Sequence, residues 1–247
     1  MHKINNKLIS IILPVLNERA TFNILINKVI QKEIPGCDKE IIIIEGNSSD
    51  GTREDVLKYK DTPGIKIILT SSPKGKGHAV RKGLKEAEGD IILIQDGDLE
   101  YDVNDYDKLI KPIIDGQCNF VLGSRHSGSE PMRRFLKSNY IAVIMNFGHK
   151  FFCLLINLMY GVNLQDPFTM YKVFKSSCIK NLKFECNRFD FDSELVIKLI
   201  RSGTMPIEIP IKYVSRPYGE GKKVTFFWDP LTWLWAIIKY KFVSPYK

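Results

Sequence analysis

Ile91-Ile92-Leu93-Ile94-Gln95-Asp96-Gly97-Asp98-Leu99-Glu100 is the stretch that decides how the chain folds. Its opening apolar run is short and sits behind a Gly-Asp turn signal, the pattern of a strand buried on both faces in a parallel sheet. The run then ends in three acids at alternate positions. A strand sends alternate side chains to one face, so Asp96, Asp98 and Glu100 converge if the backbone stays extended. Gly97 lets the chain turn there or approach a ligand closely. Hard oxygen donors of this kind suit Mg2+ or Mn2+, which bind through one or two carboxylates plus substrate phosphates. A solvated acidic turn has the same spacing, so the metal reading depends on the rest of the chain.

Outward from this strand, the first half alternates strand and helix patterns in the manner of a parallel sheet. Leu8 to Leu13, Glu40 to Ile44, Lys66 to Leu69 and Asp90 to Ile94 read as buried strands, with a shorter one over Phe120 to Leu122. Helical stretches fall between them. One starts at Thr21 and carries Phe22, Leu25, Ile26 and Val29; one starts at Asp50 or Thr52; a third runs from His78 to Ala87 and stops at Gly89. In such folds ligands bind at the carboxyl ends of the strands. The loops there are Pro14 to Glu18, Glu45 to Thr52, Ser71 to Gly77 and Asp96 to Tyr101.

Composition narrows the class. A chain of 247 residues, 44% hydrophobic and 26% charged, can bury a full core and is not disordered. Five cysteines without paired metal-ligand spacing point to free thiols in a reducing compartment rather than to zinc. The N-terminal residues reach an apolar run only at Leu8, and Asn17-Glu18-Arg19 ends it, so the expectation is a cytoplasmic protein without a signal peptide. The net charge is +8, and residues 201 to 247 hold eight Lys or Arg against three acids. All three tryptophans, Trp228, Trp233 and Trp235, fall in that region beside Phe226 and Phe227. Basic residues mixed with Trp and Phe favour an anionic membrane interface, and no nucleic-acid motif accompanies the charge.

Two apolar stretches bear on the membrane. Residues 141 to 162 are long enough to span a bilayer, but Asn146, His149, Lys150 and Asn157 interrupt them, which favours a buried or interfacial helix. Pro230 to Val243 makes ~21 Å of helix, short of a ~30 Å hydrocarbon core. It can lie on a membrane, with its tryptophans at the headgroups and Lys222, Lys223, Lys239 and Lys241 meeting anionic lipid, or its aromatics can pack back on the domain. The expected organisation is one catalytic domain over residues 1–225 and an amphipathic segment over 226–247.

The loops also carry chemistry. Glu45-Gly46-Asn47-Ser48-Ser49-Asp50-Gly51-Thr52 offers carboxylates and small residues suited to a base or ribose, and equally a turn with an Asp helix cap. Lys74-Gly75-Lys76-Gly77 supplies backbone and two cations fit for a diphosphate, without the spacing of a phosphate-loop ATPase. Together with Ile12-Leu13-Pro14-Val15-Leu16-Asn17-Glu18, Gly123-Ser124-Arg125, Asp166-Pro167-Phe168-Thr169-Met170-Tyr171-Lys172 and Arg216-Pro217-Tyr218-Gly219-Glu220-Gly221-Lys222, they occur in one order from residue 8 to about 243. In this the chain resembles glycosyltransferase family 2, in the branch of dolichyl-phosphate mannosyltransferases and polyprenyl-phosphate glycosyltransferases. Two motifs depart from the family pattern: Glu45-Gly46-Asn47-Ser48 stands for Asp-Asp-Gly-Ser, and Gly219-Glu220-Gly221-Lys222 for Gly-x-Ser-Lys.

The resemblance implies an α/β, Rossmann-like nucleotide-diphospho-sugar transferase fold with a mostly parallel central sheet. It implies that Pro14, Leu16, Glu18, Glu45, Asp50, Lys76 and Asp96 surround the nucleotide sugar. Asp96, Asp98 and Glu100 would bind Mg2+ or Mn2+, and Asp96, Asp98, Arg125 and Asp166 would form the catalytic group. A phosphate acceptor already carries its charge and needs cations more than a base, so Arg125, Arg133, Arg134 and Arg216 are candidates to hold it. Asp166 is the candidate base if the acceptor is a hydroxyl; otherwise it orients the acceptor or ties down its loop. Glu194 is a candidate buried partner of the arginines. The implied activity is metal-dependent, inverting sugar transfer to a polyprenyl phosphate at the cytoplasmic membrane face, with room for a membrane-protein partner or a homo-oligomer. Its rivals are a family member acting on a saccharide hydroxyl, a non-catalytic nucleotide-sugar binder and a nucleotidyltransferase.

Overall fold

A computed structural model describes residues 6–126, 139–216, 225 and 228–246. Its centre is a seven-stranded sheet in the order β3-β2-β1-β4-β6-β5-β7. The strands are β1 (Lys7–Val15), β2 (Cys37–Glu45), β3 (Ile65–Leu69), β4 (Ile91–Ile94), β5 (Phe120–Ser124), β6 (Lys172–Lys175) and β7 (Ile207–Pro210). All pairings are parallel except those of β6, which runs antiparallel to both β4 and β5. The continuous apolar runs follow from burial on both faces: Ile9, Ile11, Ile12 and Leu13 of β1 and Ile91, Leu93 and Ile94 of β4 have no exposed surface.

Helices α1 (Arg19–Gln31), α2 (Thr52–Leu57), α3 (Lys76–Glu86) and α4 (Tyr106–Ile114) connect the first strands. In α1 the stripe Phe22, Leu25, Ile26 and Val29 is buried, as the 3.6-residue repeat requires. Helix α4 and strands β6 and β7 were not foreseen. A Pro inside α4 and strands of four residues each leave little periodic signal. The chain turns to β2 on one side of β1 and to β4 on the other, so a crevice opens at their carboxyl ends.

Three later helices build one flank: α5 (Asn139–Tyr160), α6 (Asp190–Arg201) and α7 (Trp228–Phe242). Phe152 and Ile156 of α5, Ile197 of α6, and Ala236, Ile237 and Tyr240 of α7 form a shared apolar cluster. Only one face of α5 and α7 is used in this way. Val143, Phe147, Phe151, Leu154 and Leu158 on α5, and Trp228, Leu231, Trp235 and Phe242 on α7, are exposed. Residues 143–160 are long and apolar enough to cross a membrane, and 22% of them are buried. Of their polar interruptions, Lys150 is exposed and His149 buried, and Asn157 exchanges two 2.9 Å hydrogen bonds with the backbone of Leu164.

Candidate functional site

Four loops at the carboxyl ends of the strands meet in a cleft of about 610 Å³, within the range of small-molecule sites. The first two loops are zipped together. Asn17 adopts a left-handed backbone (φ 49°), which Asn tolerates. Its N–H donates to Ser48 Oγ and its Oδ1 accepts from the Ser49 N–H, both at 2.9 Å. The Glu18 N–H donates to Thr52 Oγ1 at 2.9 Å. These bonds hold Pro14, Leu16, Glu18 and Gly46 on the cleft wall.

Glu45 and Asp50, expected beside the nucleotide, are not among the residues lining the cleft. The Glu45 carboxylate is fully buried, meets Arg53 Nε at 2.7 Å and accepts the N–H groups of Asn47 and Ser48. Asp50 accepts from the N–H and hydroxyl of Thr52 and from the Arg19 N–H. Against the opposing effect of burial, those bonds hold its carboxyl below the usual range. Both acids shape the loops that present their neighbours.

The Lys74–Gly77 loop is built by close backbone packing. Its Gly77 and His78 N–H groups donate to the carbonyls of Arg188 and Asn187, at 3.2 and 3.0 Å. A Cβ on Gly75 would lie 2.4 Å from the Asn187 carbonyl oxygen, and one on Gly77 would lie 2.5 Å from Phe191 Cβ. The glycines read as a flexible phosphate cradle are therefore needed for contact between α3 and the segment before α6. Lys76 crosses the cleft to pair with Asp96.

The acids after β4 do not converge as the alternation suggested. Among the described residues no group of three or more His, Cys, Asp or Glu side chains is arranged to hold a metal ion. Glu100 accepts from the Tyr213 hydroxyl at 2.9 Å and the Arg216 N–H at 2.7 Å. The Arg216 guanidinium meets Asp98 Oδ2 at 2.6 Å, Glu18 Oε2 at 3.0 Å and Glu100 Oε1 at 3.6 Å. The physical reason is charge: neighbouring carboxylates repel one another, and Arg216 and Lys76 are the counter-charges each turns to. Burial and repulsion from Asp96 and Glu100 push the Asp98 carboxyl up to about 7 despite Arg216. A partly buried set of hard oxygens with this repulsion fits a divalent cation chemically, and Asp96, Asp98 and Glu100 all line the cleft.

Arg125 and Asp166 come together, but facing each other. The Arg125 N–H and Nε donate to Asp166 Oδ2 at 2.9 and 2.8 Å, and Nη2 donates to Oδ1 at 2.7 Å. Their side chains are 6% and 0% exposed. Burial alone would raise the Asp166 carboxyl; the guanidinium overrides it and holds the group well below the usual range. An acid so held is a poor proton acceptor, and its geometry ties the end of β5 to the loop before β6. Arg133 and Arg134 lie outside the described residues, as do Lys222 and Lys223. Glu194 is buried but serves Lys198 at 2.6 Å and the N–H groups of Glu185 and Cys186, not the arginines.

The far end of the cleft is apolar, lined by Ile144 and Phe152 of α5, Phe168, Met170 and Trp233 of α7. Trp233, read from sequence as a membrane aromatic, thus lines the site, its ring edge-on to Phe152 at 5.6 Å and tilted against Phe168 at 5.9 Å. Of the lysines expected to meet lipid, Lys239 pairs with Glu185 at 2.9 Å and Lys241 donates to the Met159 carbonyl. Arg188 also lines the cleft and had no sequence signal, because its partner, Asp229, lies 41 residues away.

Comparison with known proteins bears on this site. A family model described as "Glycosyl transferase family 2" matches residues 10–182. The chain is 26% identical over 219 residues to a dolichol-phosphate mannosyltransferase of Pyrococcus furiosus, covering 87% of this chain and 58% of that protein. It is 25% identical over 222 residues to an undecaprenyl-phosphate 4-deoxy-4-formamido-L-arabinose transferase of Edwardsiella ictaluri, covering 87% and 62%. It therefore spans about three-fifths of the length of these curated relatives. Among solved structures, glucosyl-3-phosphoglycerate synthase of Mycobacterium tuberculosis, in complex with Mn2+, UDP-glucose and phosphoglyceric acid, superposes with a TM-score of 0.69 at 17% identity. That match covers 96% of this chain and 81% of the synthase.

Proposed function

The chain belongs to glycosyl transferase family 2, and from that premise we propose that it moves a sugar from a nucleoside diphosphate sugar to a polyprenyl phosphate at a membrane surface, inverting the anomeric centre. The observation that carries the choice of acceptor is the apolar end of the cleft, walled by α5 and α7. The outer faces of both helices expose Phe147, Phe151, Trp228 and Trp235, and an extended apolar surface of this kind suits a bilayer. Both relatives are named for transfer involving a lipid phosphate, dolichol-phosphate in one and undecaprenyl-phosphate in the other, which supports the same reading.

In this mechanism Pro14, Leu16 and Gly46 receive the nucleoside and Lys76 faces the diphosphate. Asp96 and Asp98 would hold Mg2+ or Mn2+, whose contribution when bound is to neutralise charge developing on the departing nucleoside diphosphate. Glu100 fixes the backbone at Arg216, and Arg216 meets the acids until substrate phosphates compete for it. Arg125, locked and neutralised by Asp166, lines the floor of the cleft near Tyr213, whose ring lies 5.3 Å from the guanidinium carbon. A lipid phosphate attacks without a general base, consistent with an Asp166 that is already committed. The protein would work as a peripheral protein on the cytoplasmic membrane face.

Purified protein should be incubated with UDP- and GDP-sugars, with Mg2+ or Mn2+, and with or without undecaprenyl phosphate. The expected result is nucleoside diphosphate release that depends on the lipid and yields a lipid-linked sugar. Release of pyrophosphate, or transfer only to a free saccharide, would overturn the assignment.

A further inference from the structure

The cleft cations differ in what holds them. Lys76 and Arg216 are paired to acids that themselves line the cleft, and Arg125 is almost fully buried in its fork. Arg188 is built otherwise. Its side chain is 49% exposed and lines the cleft. Its Nε and Nη2 donate to a single oxygen, Asp229 Oδ1, at 3.1 and 3.0 Å. Asp229 is fully buried in the first turn of α7, outside the cleft, and its other oxygen accepts from the N–H and hydroxyl of Thr225 at 2.6 and 2.9 Å. A guanidinium carries five N–H donors in a planar fork. Two are spent on Asp229, and the remaining three belong to a half-exposed side chain that lines the cleft.

A second observation points the same way. The Trp233 indole N–H, one turn further along α7, is buried in the wall of the same cleft and has no hydrogen-bond partner among the described residues. An unmet buried donor is costly, and an acceptor oxygen that reaches it from the cleft, after a small shift of the ring that now covers the nitrogen, would relieve it. The backbone before α6 adds rigidity: the Arg188 and Asn187 carbonyls hold the Gly77 and His78 N–H groups of the loop that carries Lys76.

We propose that Arg188 is a phosphoryl-oxygen ligand of the cleft, and that Asp229 is its positioning residue, so that docking of α7 completes the anion site. The proposal rests on the assignment of a nucleoside diphosphate sugar donor and a lipid phosphate acceptor, either of which supplies the phosphoryl oxygens. Arg suits this task because its fork can contact two oxygens at once while Asp229 holds its other edge.

The test is titration calorimetry of the full chain with two probes in Mg2+ buffer: UDP or GDP, whichever binds the wild type, and farnesyl phosphate. Arg188→Gln should weaken at least one probe tenfold or more, with Arg188→Lys intermediate. A loss confined to the nucleotide assigns Arg188 to the donor, and a loss confined to farnesyl phosphate assigns it to the acceptor. Asp229→Asn should weaken the same probe by a smaller factor, and the double variant should bind no worse than Arg188→Gln, as expected when one residue acts through the other. Wild-type binding with Arg188→Gln within twofold for both probes would overturn this inference alone. A wild type that binds neither probe would overturn the functional assignment along with it.

Discussion

Asp166→Asn should destabilise the protein by about 3–5 kcal/mol, the cost of breaking a buried ion pair by removing one partner. Asp166 accepts three N–H groups of Arg125 within 2.9 Å, and both side chains are nearly inaccessible to water. The amide keeps one acceptor oxygen and turns an NH2 toward a guanidinium that has no other acid in its fork. For a domain of this size each kcal/mol shifts the midpoint by roughly 2–4 °C, so thermal melts followed by circular dichroism should fall by about 6–20 °C. The pH dependence has a definite sign. The folded carboxyl titrates below its unfolded value of ~3.9, so its contribution is present above that value and is lost as pH falls through the lower folded one. Asp166→Asn should therefore remove part of the acid limb of the stability curve. Replacing the pair by Arg125→Met with Asp166→Leu should recover much of the loss. An Asp166→Asn protein with an unchanged midpoint but no turnover would refute this reasoning and restore the acid as a catalytic base.

Asp98→Asn should abolish metal-dependent turnover yet leave the midpoint at pH 8 no lower than wild type. The folded carboxyl is raised to about 7, so whatever stability it contributes is complete below the unfolded pKa and gone above 7; a large drop at pH 8 would contradict this. Gly77→Ala should cost about 1–3 kcal/mol through overpacking and weaken nucleotide binding by shifting Lys76, which melts and nucleotide titrations would detect; wild-type values in both would refute the packing account. Phe147→Glu with Trp235→Glu, at positions 72% and 66% exposed, should prevent flotation with anionic vesicles without changing the midpoint. Undiminished flotation would exclude these helix faces as the membrane contact.

The sequence by itself determined the parallel half of the sheet, because strands buried on both faces are near-continuously apolar, and Leu8–Leu13, broken only by Ser10, Ile41–Ile44 and Ile91–Ile94 are too short for buried helices. It also determined which loops meet, since the carboxyl ends of parallel strands share one edge of the sheet. Tertiary structure alone decided what each charged side chain does there. Glu45 and Asp50 sit in the right loops, yet Arg53 and Thr52 capture them. Arg125 and Asp166, 41 residues apart, neutralise each other, while Arg216 reaches back 198 residues to Glu18. The amphipathic face of α7 was legible as a pattern, but not that Trp233 turns into the cleft or that Asp229 holds Arg188. Periodicity records which faces are apolar, because burial is a property of each residue in its own element. Ion pairing depends on distances between elements far apart in the chain, and those exist only once the sheet and its helices have packed.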